Sequence, residues 1–558
     1  MFTKIVSVPR KNKTAVQYLQ IVESVRAPAG GGPRHRVLLN LGRADQLDPE
    51  RVKQLIRVLS AHLEQGSQEP PPAETQLGQT RELGLPWLAG ALWSALGLER
   101  FWKEQLRRRR LQAPLERALL AMTAHRLQDP KSKRKDFIWL RGEAFFPWAG
   151  QVELHHFYRA LDFLQENRDA LEQALFDHRR GLFNQTAEFV YFDTTTVHFE
   201  MDEDPEEPDL EGLRQYGRPK DGRSSHRLIV IAMAVDPDGL PLFSQTFPGN
   251  TVDASTLAPA LARLKALGVQ KTIFVADRGA VSQDNLLAVR AAGLDYIVGL
   301  RLRRAGEDIA ALLDDPAPYE EVEENLLAKT VEFGGRRLTL CFSPLTAERE
   351  AKSRGRSIER LNDKLKAARK ARDRAKAEAE ILAHGLHRRW VERDSRGGLV
   401  LSRRLVARES RYDGVFVLET SDPDLTTAQT ALGYKRLLRV ERAWQTIKHG
   451  LDVQPVFLRT DERIEAHVTL CMIAYLLERW TELRTGRSFD EIRQWLRPLH
   501  ATELICQGQH LWKTRDPLPK GIETFLKKLG APAPPRVLHI GELPAPLAGE
   551  IEEIPEKM

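Results

Sequence analysis

The sequence predicts an α/β protein of several domains, built on a mixed β-sheet that carries acidic residues at its strand ends. Three observations predict it. The chain has 558 residues, more than one hydrophobic core holds, so two to four domains are expected. Between 183 and 300 short β-prone runs alternate with helical patterns, whereas 86–182 reads as helix throughout. From 301 to 425 that rhythm breaks, and an apolar helix pattern returns at 426.

Taken in order, residues 1–65 read as a small α/β module. β-like segments at Tyr18–Val25 and Arg36–Leu41 precede a helix from about Pro49 to Leu63. Residues 66–85 are a linker, stiffened by Pro70-Pro71-Pro72. The helical region 86–182 has apolar residues three and four apart and contains the basic run Lys103–Arg110.

At Phe189-Val190-Tyr191-Phe192 a β-prone run ends on Asp193. Leu228–Val235 and Pro241–Phe247 are further strands, separated by an Asp-Pro-Asp-Gly turn at 236–239. A helix over 254–267, a strand over Lys271–Ala276 ending at Asp277, a helix over Ser282–Ala292 and a strand over Asp295–Leu300 follow. Three meandering strands, a helix, then strand–helix–strand is the order of an RNase H-like core. In that fold the first and fourth strands are neighbours, which places Asp193 opposite Asp277.

Residues 301–425 read as an inserted β-plus-helix domain. Thr330–Phe342, Arg403–Ala407 and Gly414–Leu418 are β-like, and Arg356–His384 lacks Gly and Pro, predicting one long basic helix or a helical hairpin. The core resumes at 426–500 with a helix over Thr426–His449 and a second, apolar helix over Ile464–Leu477. The segment 501–558 includes a tail from Ala531 with 6 prolines in 28 residues, expected to be loosely ordered.

Composition excludes several classes. Apolar residues make up 42% and charged residues 29%, as in a globular protein. No apolar run approaches the ~20 residues that span a bilayer, and no signal-peptide pattern opens the chain, so a cytoplasmic protein with no membrane partner is expected. Cys341, Cys471 and Cys506 form no CxxC pair, which argues against a disulfide framework or a structural zinc site. The net charge of +7 suits a polyanionic partner. Residues 352–376 hold 11 Lys and Arg against 3 Asp and Glu, although a solvated helix face accounts equally well for such a run.

A carboxylate closing an apolar strand is costly unless it is paired, at an edge or on a metal. Asp193 and Asp277 both pose that problem, on strands expected to be adjacent. Glu441 is the third acid. Tyr434, Glu441 and Lys448 are seven residues apart, two helical turns less about 20°, so they share one face of a continuous helix. Leu437 and Trp444 lie near that face, which argues against a plain solvent stripe.

With these residues the chain resembles the DDE insertion-sequence transposases. The resemblance rests on Phe192-Asp193-Thr194-Thr195, the Phe247-Pro248-Gly249-Asn250 turn, Val275-Ala276-Asp277-Arg278-Gly279, the Tyr434…Glu441…Lys448 helix and Leu41-Gly42-Arg43 near the N-terminus. It is closest in pattern to the cut-and-paste group with a β-rich insertion before the final Glu. The 164 residues between Asp277 and Glu441 leave room for that insertion.

The resemblance implies that Asp193, Asp277 and Glu441 are catalytic and hold Mg²⁺ or Mn²⁺, two ions being expected. Asp193 would bridge them. Tyr434 and Lys448 would hold the DNA backbone at the element end. The family signature Tyr-x2-Arg-x3-Glu-x6-Lys has its Arg replaced here by Leu437. Arg436 and Arg439 point about 140–160° away from Glu441 on an ideal helix, so Arg442 is put forward as the substitute DNA contact. The implied partners are terminal inverted repeats and target DNA, with a dimer on DNA.

Other readings fit less well. A haloacid-dehalogenase-type phosphohydrolase needs a second Asp two residues after Asp193, and Thr195 stands there. An RNase H-like nuclease would cut without joining. A DNA-binding relic of a dead transposase would not be expected to retain all three acids.

Overall fold

The computed structural model describes residues 2–10, 13–25, 34–43, 75–183, 189–199, 212–219, 227–269, 272–277, 282–300, 311–453, 458–506, 509–514 and 518–546. The helix expected over 49–63 and the linker segment 66–74 lie outside the described residues. The chain divides into two units, residues 1–80 with 502–513 and 537–542, and residues 81–501 with 514–536 and 543–558.

The first unit holds an antiparallel meander of β1 (Phe2–Arg10), β2 (Lys13–Val25) and β3 (Arg34–Arg43). The two β-like segments expected there correspond to β2 and β3, and β1 adds a strand. Residues 75–82, expected to continue the linker, form β4 (Thr75–Glu82) instead.

The second unit opens with six helices: α1 (Gly84–Ala95), α2 (Leu98–Arg108), α3 (Leu115–Gln128), α4 (Lys133–Gly142), α5 (Leu154–Glu166) and α6 (Arg168–Phe183). Buried Trp93, Trp102, Leu119, Phe157 and Leu161 from this region share one hydrophobic core with the sheet that follows. The helical region is therefore packed into the body of the unit.

That sheet begins with β5 (Phe189–His198), β6 (Leu228–Val235) and β7 (Pro241–Pro248). Every residue of β6 is buried, as expected of a central strand covered on both faces. After α7 (Leu257–Ala266) come β8 (Ile273–Ala276), α8 (Gln283–Ala291) and β9 (Asp295–Leu300). β5 pairs antiparallel with β6, and β6 with β7, while β5–β8 and β8–β9 are parallel. The spatial order β7-β6-β5-β8-β9 is the order expected of an RNase H-like core.

The inserted strands extend this same sheet. β10 (Glu320–Glu323), β11 (Leu326–Phe333) and β12 (Arg336–Phe342) lead into α9 (Pro344–Lys370) and α10 (Arg374–Ala383). The hairpin β13 (Val391–Arg393) and β14 (Leu399–Leu401), α11 (Arg403–Ser410) and β15 (Val415–Thr420) complete the insertion. β15 joins the edge of β9, and β12, β11 and β10 follow, giving nine strands.

Three expectations are corrected here. The β-like stretch 403–407 is α11, started by Ser402, whose hydroxyl accepts from Leu405 N at 3.3 Å. The long helix is the hairpin alternative. It starts earlier, with Ser343 as cap and Pro344 in the first turn, and it breaks at 371–373 where Asp373 caps α10 through Lys376 N at 3.0 Å. The helix expected over 426–449 is divided, as described below.

After it, α14 (Asp461–Thr485) runs as a 25-residue helix buried along most of its length against α3, α5 and β7. Its predecessors α12 (Thr427–Lys435) and α13 (Leu438–Gln445) lie on the sheet. α15 (Phe489–Leu496) and α16 (Ile522–Lys528) finish the second unit's helices. In the first unit, β16 (His500–Cys506), β17 (Gln509–Thr514) and β18 (Val537–Ile540) form a four-stranded sheet of order β18-β17-β16-β4. The tail from Ala531 is thus tied down through residue 540, contrary to expectation, because β18 completes the ladder of β17.

The Phe247-Pro248-Gly249-Asn250 turn shows why its glycine is required. A Cβ on Gly249 would lie 2.2 Å from the Leu228 carbonyl oxygen and 2.3 Å from that of Gln215, both backbone atoms. Gly249→Ala is expected to destabilise the protein by about 1–3 kcal/mol, the usual range for overpacking, read as a lowered midpoint in thermal denaturation. An unchanged midpoint would show that the turn relaxes freely.

Candidate active site

Asp193 and Asp277 meet through the β5–β8 pairing. Phe192 stands opposite Ala276 in the parallel register, so the two acids occupy the next position on neighbouring strands, about 4.8 Å apart in backbone spacing. Alternation decides which face they share. Val190, Phe192, Phe274 and Ala276 belong to the core beneath α7 and α8. Tyr191, Val197 and Val275 belong to the opposite core, which α12, α13 and α14 cover. Asp193 and Asp277 follow the parity of this second set and lean toward the face that bears Glu441. Asp193 is half-buried and Asp277 is exposed.

Glu441 arrives on a broken helix. α12 ends at Lys435 and α13 starts at Leu438. The joint is a tight turn in which Leu437 N donates to Tyr434 O at 2.8 Å and Arg439 N to Arg436 O at 2.9 Å. α12 packs over β8, β9 and β15, and α13 over β5 and β6, so the break carries the chain from one half of the sheet to the other. Gly433 permits the close approach: a Cβ there would sit 3.0 Å from Ile297 and Phe189 side-chain atoms. After α13, Thr446–Gly450 is a π-helical turn closed by Leu451 N donating to Thr446 O at 2.8 Å. Tyr434, Glu441 and Lys448 therefore stand on three differently phased segments, and the expected common face of one helix does not exist.

Two of the three converge on Asp277 nonetheless. The Tyr434 hydroxyl donates to Asp277 Oδ1 at 3.0 Å. It reaches there over Gly299, where a Cβ would lie 2.6 Å from the phenol oxygen, and its ring stacks against Phe416 at 6.0 Å. Glu441 lies in the field of Asp277: desolvation first, and the Asp277 charge second, raise its carboxyl above the ordinary 4.5. Lys448 is half-buried in the π turn, and Arg442 is exposed and makes no ion pair among the described residues.

The signature position held by Leu437 is core. Leu437 is buried with Val440, Ala443 and Trp444 in the main cluster. Arg439 pairs with Asp238 at 3.7 Å, in the β6–β7 turn beyond the N-terminal part of β5. The charges of Arg436 and Arg439 bear on Tyr191, whose phenol burial pushes up to about 12 against their opposing pull.

Sequence reading missed two contributors. Gly299, inside the apolar run Tyr296–Leu300, is the opening through which Tyr434 reaches Asp277, and a glycine within a strand pattern is a recognised signal of close approach. Arg126, buried in α3, donates to the carbonyls of Leu451 (2.6 Å) and Asp452 (3.0 Å) and so satisfies the end of the π turn. Nothing in the sequence distinguishes Arg126 from other arginines of the helical region.

Three carboxylates supply hard oxygen donors of the kind Mg²⁺ and Mn²⁺ take. The negative charge around Asp277 and Glu441 is the electrostatic condition a cation relieves. The cage is not closed: among the described residues no three His, Cys, Asp or Glu side chains stand close enough to hold one ion. The residues fit a divalent metal in chemistry and in placement on one sheet end, while the ligand distances are not formed.

Comparison with known proteins gives the class. A family model described as "Transposase DDE domain" matches residues 186–477, just over half of the chain, and the chain belongs to the DDE-domain transposases. A second model, "IS1634 family transposase, N-terminal domain", matches residues 4–72, and the two together make this an insertion-sequence transposase of the DDE type. It is a polynucleotidyl transferase that functions in DNA transposition, and it binds DNA.

No curated protein matches the chain by sequence. Among solved structures, a piggyBac transposase synaptic complex with hairpin DNA aligns at 9% identity and TM-score 0.30, over 74% of this chain and 76% of that one. A Mos1 transposase paired-end complex with left transposon end aligns at 14% identity and TM-score 0.15, over 45% and 68%. No helix among the described residues is long and apolar enough to cross a membrane.

Two outcomes are expected at this site. Tyr434→Phe removes the hydroxyl that holds Asp277. It should weaken the apparent affinity for activating Mg²⁺ by about 10–100-fold, the usual cost of losing a partner that orients a ligand. DNA affinity, measured separately in chelator, should stay within about two-fold, given that this affinity rests mostly on phosphate neutralisation by Lys and Arg. Equal loss in both assays would make Tyr434 a DNA contact. For Glu441 the raised carboxyl sets the sign. Its contribution to stability is complete below the ordinary 4.5 and is lost as pH rises through the raised value. In chelator, Glu441→Gln should therefore melt higher than the wild type at neutral pH, with the gap closing in acid. A gap that widens in acid would contradict the clustering.

Proposed function

We propose that Asp193, Asp277 and Glu441 are the catalytic carboxylates of a cut-and-paste transposase, hydrolysing DNA at the ends of an insertion sequence and joining the freed ends to target DNA. The observation that carries this reading is the convergence on Asp277: Asp193 beside it on the parallel strand, Glu441 within its field, and Tyr434 holding it. The proposal includes an RNase H-like core whose insertion, residues 301–425, precedes the final Glu.

The three carboxylates would hold Mg²⁺ or Mn²⁺, two ions in the complete site. The metal, when bound, supplies a more acidic attacking hydroxyl and neutralises charge on the leaving oxygen. The protein's own part is placement. β5 and β8 fix two acids on adjacent backbones. The packed Leu437, Val440 and Trp444 fix the helix that carries the third. Tyr434 orients Asp277. Arg442 on α13 and Lys448 in the π turn are the proposed backbone contacts, with the terminal inverted repeats and the target as their DNA. Two ends brought together imply a dimer on DNA.

Asp193→Asn, Asp277→Asn and Glu441→Gln are each expected to reduce metal-dependent strand cleavage below detection. They should leave binding to end DNA within a few-fold of wild type, because affinity for DNA comes mainly from phosphate neutralisation. Gel analysis of a labelled end fragment reads both. An Asp193→Asn protein that still nicks cognate ends would remove Asp193 from the site.

A further inference from the structure

The part of the insertion between β12 and β15 holds more than the whole positive excess of the chain. Residues 344–414 contain 20 Lys and Arg against 11 Asp and Glu, an excess of nine, whereas the full chain is +7, so the remainder is net −2. A protein that must hold a polyanion has placed its charge in one lobe.

That lobe is a separate, anchored body. α9 and α10 pack on each other and on the β13–β14 hairpin through Leu361, Leu365, Ala368, Ile381 and Trp390, a small core of its own. Its two roots are tied together where they leave the sheet. Ser343 N donates to Gly414 O at 2.9 Å, Gly414 N donates to Glu350 Oε2 at 2.8 Å, and Arg354 pairs with Asp413. A Cβ on Gly414, at φ +68°, would lie 2.5 Å from the Ser343 carbonyl oxygen, so the roots touch backbone to backbone.

The roots leave at the site's end of the sheet. β15 runs antiparallel to β9, with Val417 opposite Leu300, and β12 antiparallel to β15, with Phe342 opposite Val415. Phe342 and Val415 therefore lie beyond the C-terminal end of β9, on the same end at which β8 delivers Asp277. Three strand spacings separate β8 from β12, about 14 Å across the sheet. From that root α9 extends for 27 residues, about 40 Å at ~1.5 Å each.

Away from the buried Leu361 and Leu365, α9 presents Arg349, Arg356, Arg360 and Lys364, all exposed, within about 80° of one another around an ideal helix. Arg356, Arg360 and Lys364 make no ion pair among the described residues. Glu359 and Asp363 flank the row, so the feature is a stripe of cations on a mixed helix rather than a uniformly basic one.

We propose that the α9–α10 lobe is a sequence-independent grip on the DNA backbone, engaging the duplex adjacent to the bond under attack, with Arg356, Arg360 and Lys364 as phosphate contacts. A helix of about 40 Å rooted three strands from β8 spans about one turn of duplex. Its charge neutralises phosphates and reads no bases. The position relative to the cut rests on the proposed carboxylate site. The charge and its contribution to affinity do not.

The test measures binding to a duplex of unrelated sequence, in chelator, across a range of salt. Each phosphate contact contributes about 0.9 to the slope of log affinity against log salt. The triple variant Arg356→Gln, Arg360→Gln, Lys364→Gln should lower that slope by about two to three. Glutamine keeps helix propensity, and circular dichroism checks the fold. A control of equal charge change, Lys520→Gln, Lys527→Gln, Lys528→Gln, should change the slope by less than about one. A triple variant that leaves the slope unchanged, or a control that lowers it equally, overturns the grip. Because no metal is present, neither result depends on the carboxylates, and loss of cleavage in Asp193→Asn would stand or fall separately.

Discussion

Parallel pairing of the short strand β8 with β5 is the constraint on which the rest depends. β8 has only four residues, all buried, and its register with β5 sets Ala276 against Phe192. Strand alternation then leaves no choice: the next residue on each strand faces the helices of the second core. A slip of one residue would turn either acid toward α7 and α8 and bury it without a partner. The flanking residues prevent that slip. Phe192 and Phe274 fill one core and Tyr191 and Val275 the other, so both faces of the register are specified by packing.

The third acid is held by a different logic. α12 lies on β8 and β9 and α13 on β5 and β6, and the turn at Arg436-Leu437 joins them. Leu437 lies at that turn and is buried. Tyr434 and Glu441 thereby approach Asp277 from two separate segments, and among the described residues the acids form no closed cage. Arg126, reaching from α3 to the end of the π turn, couples that segment to the helical region, which is therefore structural as well as basic.

Much of this was legible in the sequence. The strands 228–235 and 295–300 end where apolar patterning says they should, because burial on both faces leaves a continuous apolar run with turn residues at each end. Asp277 follows the last residue of β8 as expected, whereas β5 runs on past Asp193 to His198 because Thr194–His198 continue the ladder with β6. What was illegible depended on contacts distant in sequence. β18 sits in a proline-rich tail and is a strand only because β17 offers it a ladder. The 403–407 segment has Leu405 and Val406 in a β-like pattern, but the Ser402 cap decides for helix. The division at 436–437 has no Gly or Pro to announce it. It puts Tyr434, Glu441 and Lys448 on separate segments, of which Tyr434 and Glu441 approach Asp277.

The insertion shows how an addition to a fold can be placed without disturbing it. β9 is the open edge of the five-stranded core, and β15 joins it by antiparallel pairing, so the inserted strands enlarge the sheet instead of building a second one. Antiparallel addition has a directional consequence. Because β9 points its C-terminus at the end bearing Asp277, β15 must begin there and β12 must end there, and whatever is inserted between β12 and β15 emerges at that end. The lobe carrying the positive excess is the segment between those two strands. Its position beside Asp277 thus follows from strand polarity, and its charge is the feature that makes such a position useful to an enzyme that handles DNA.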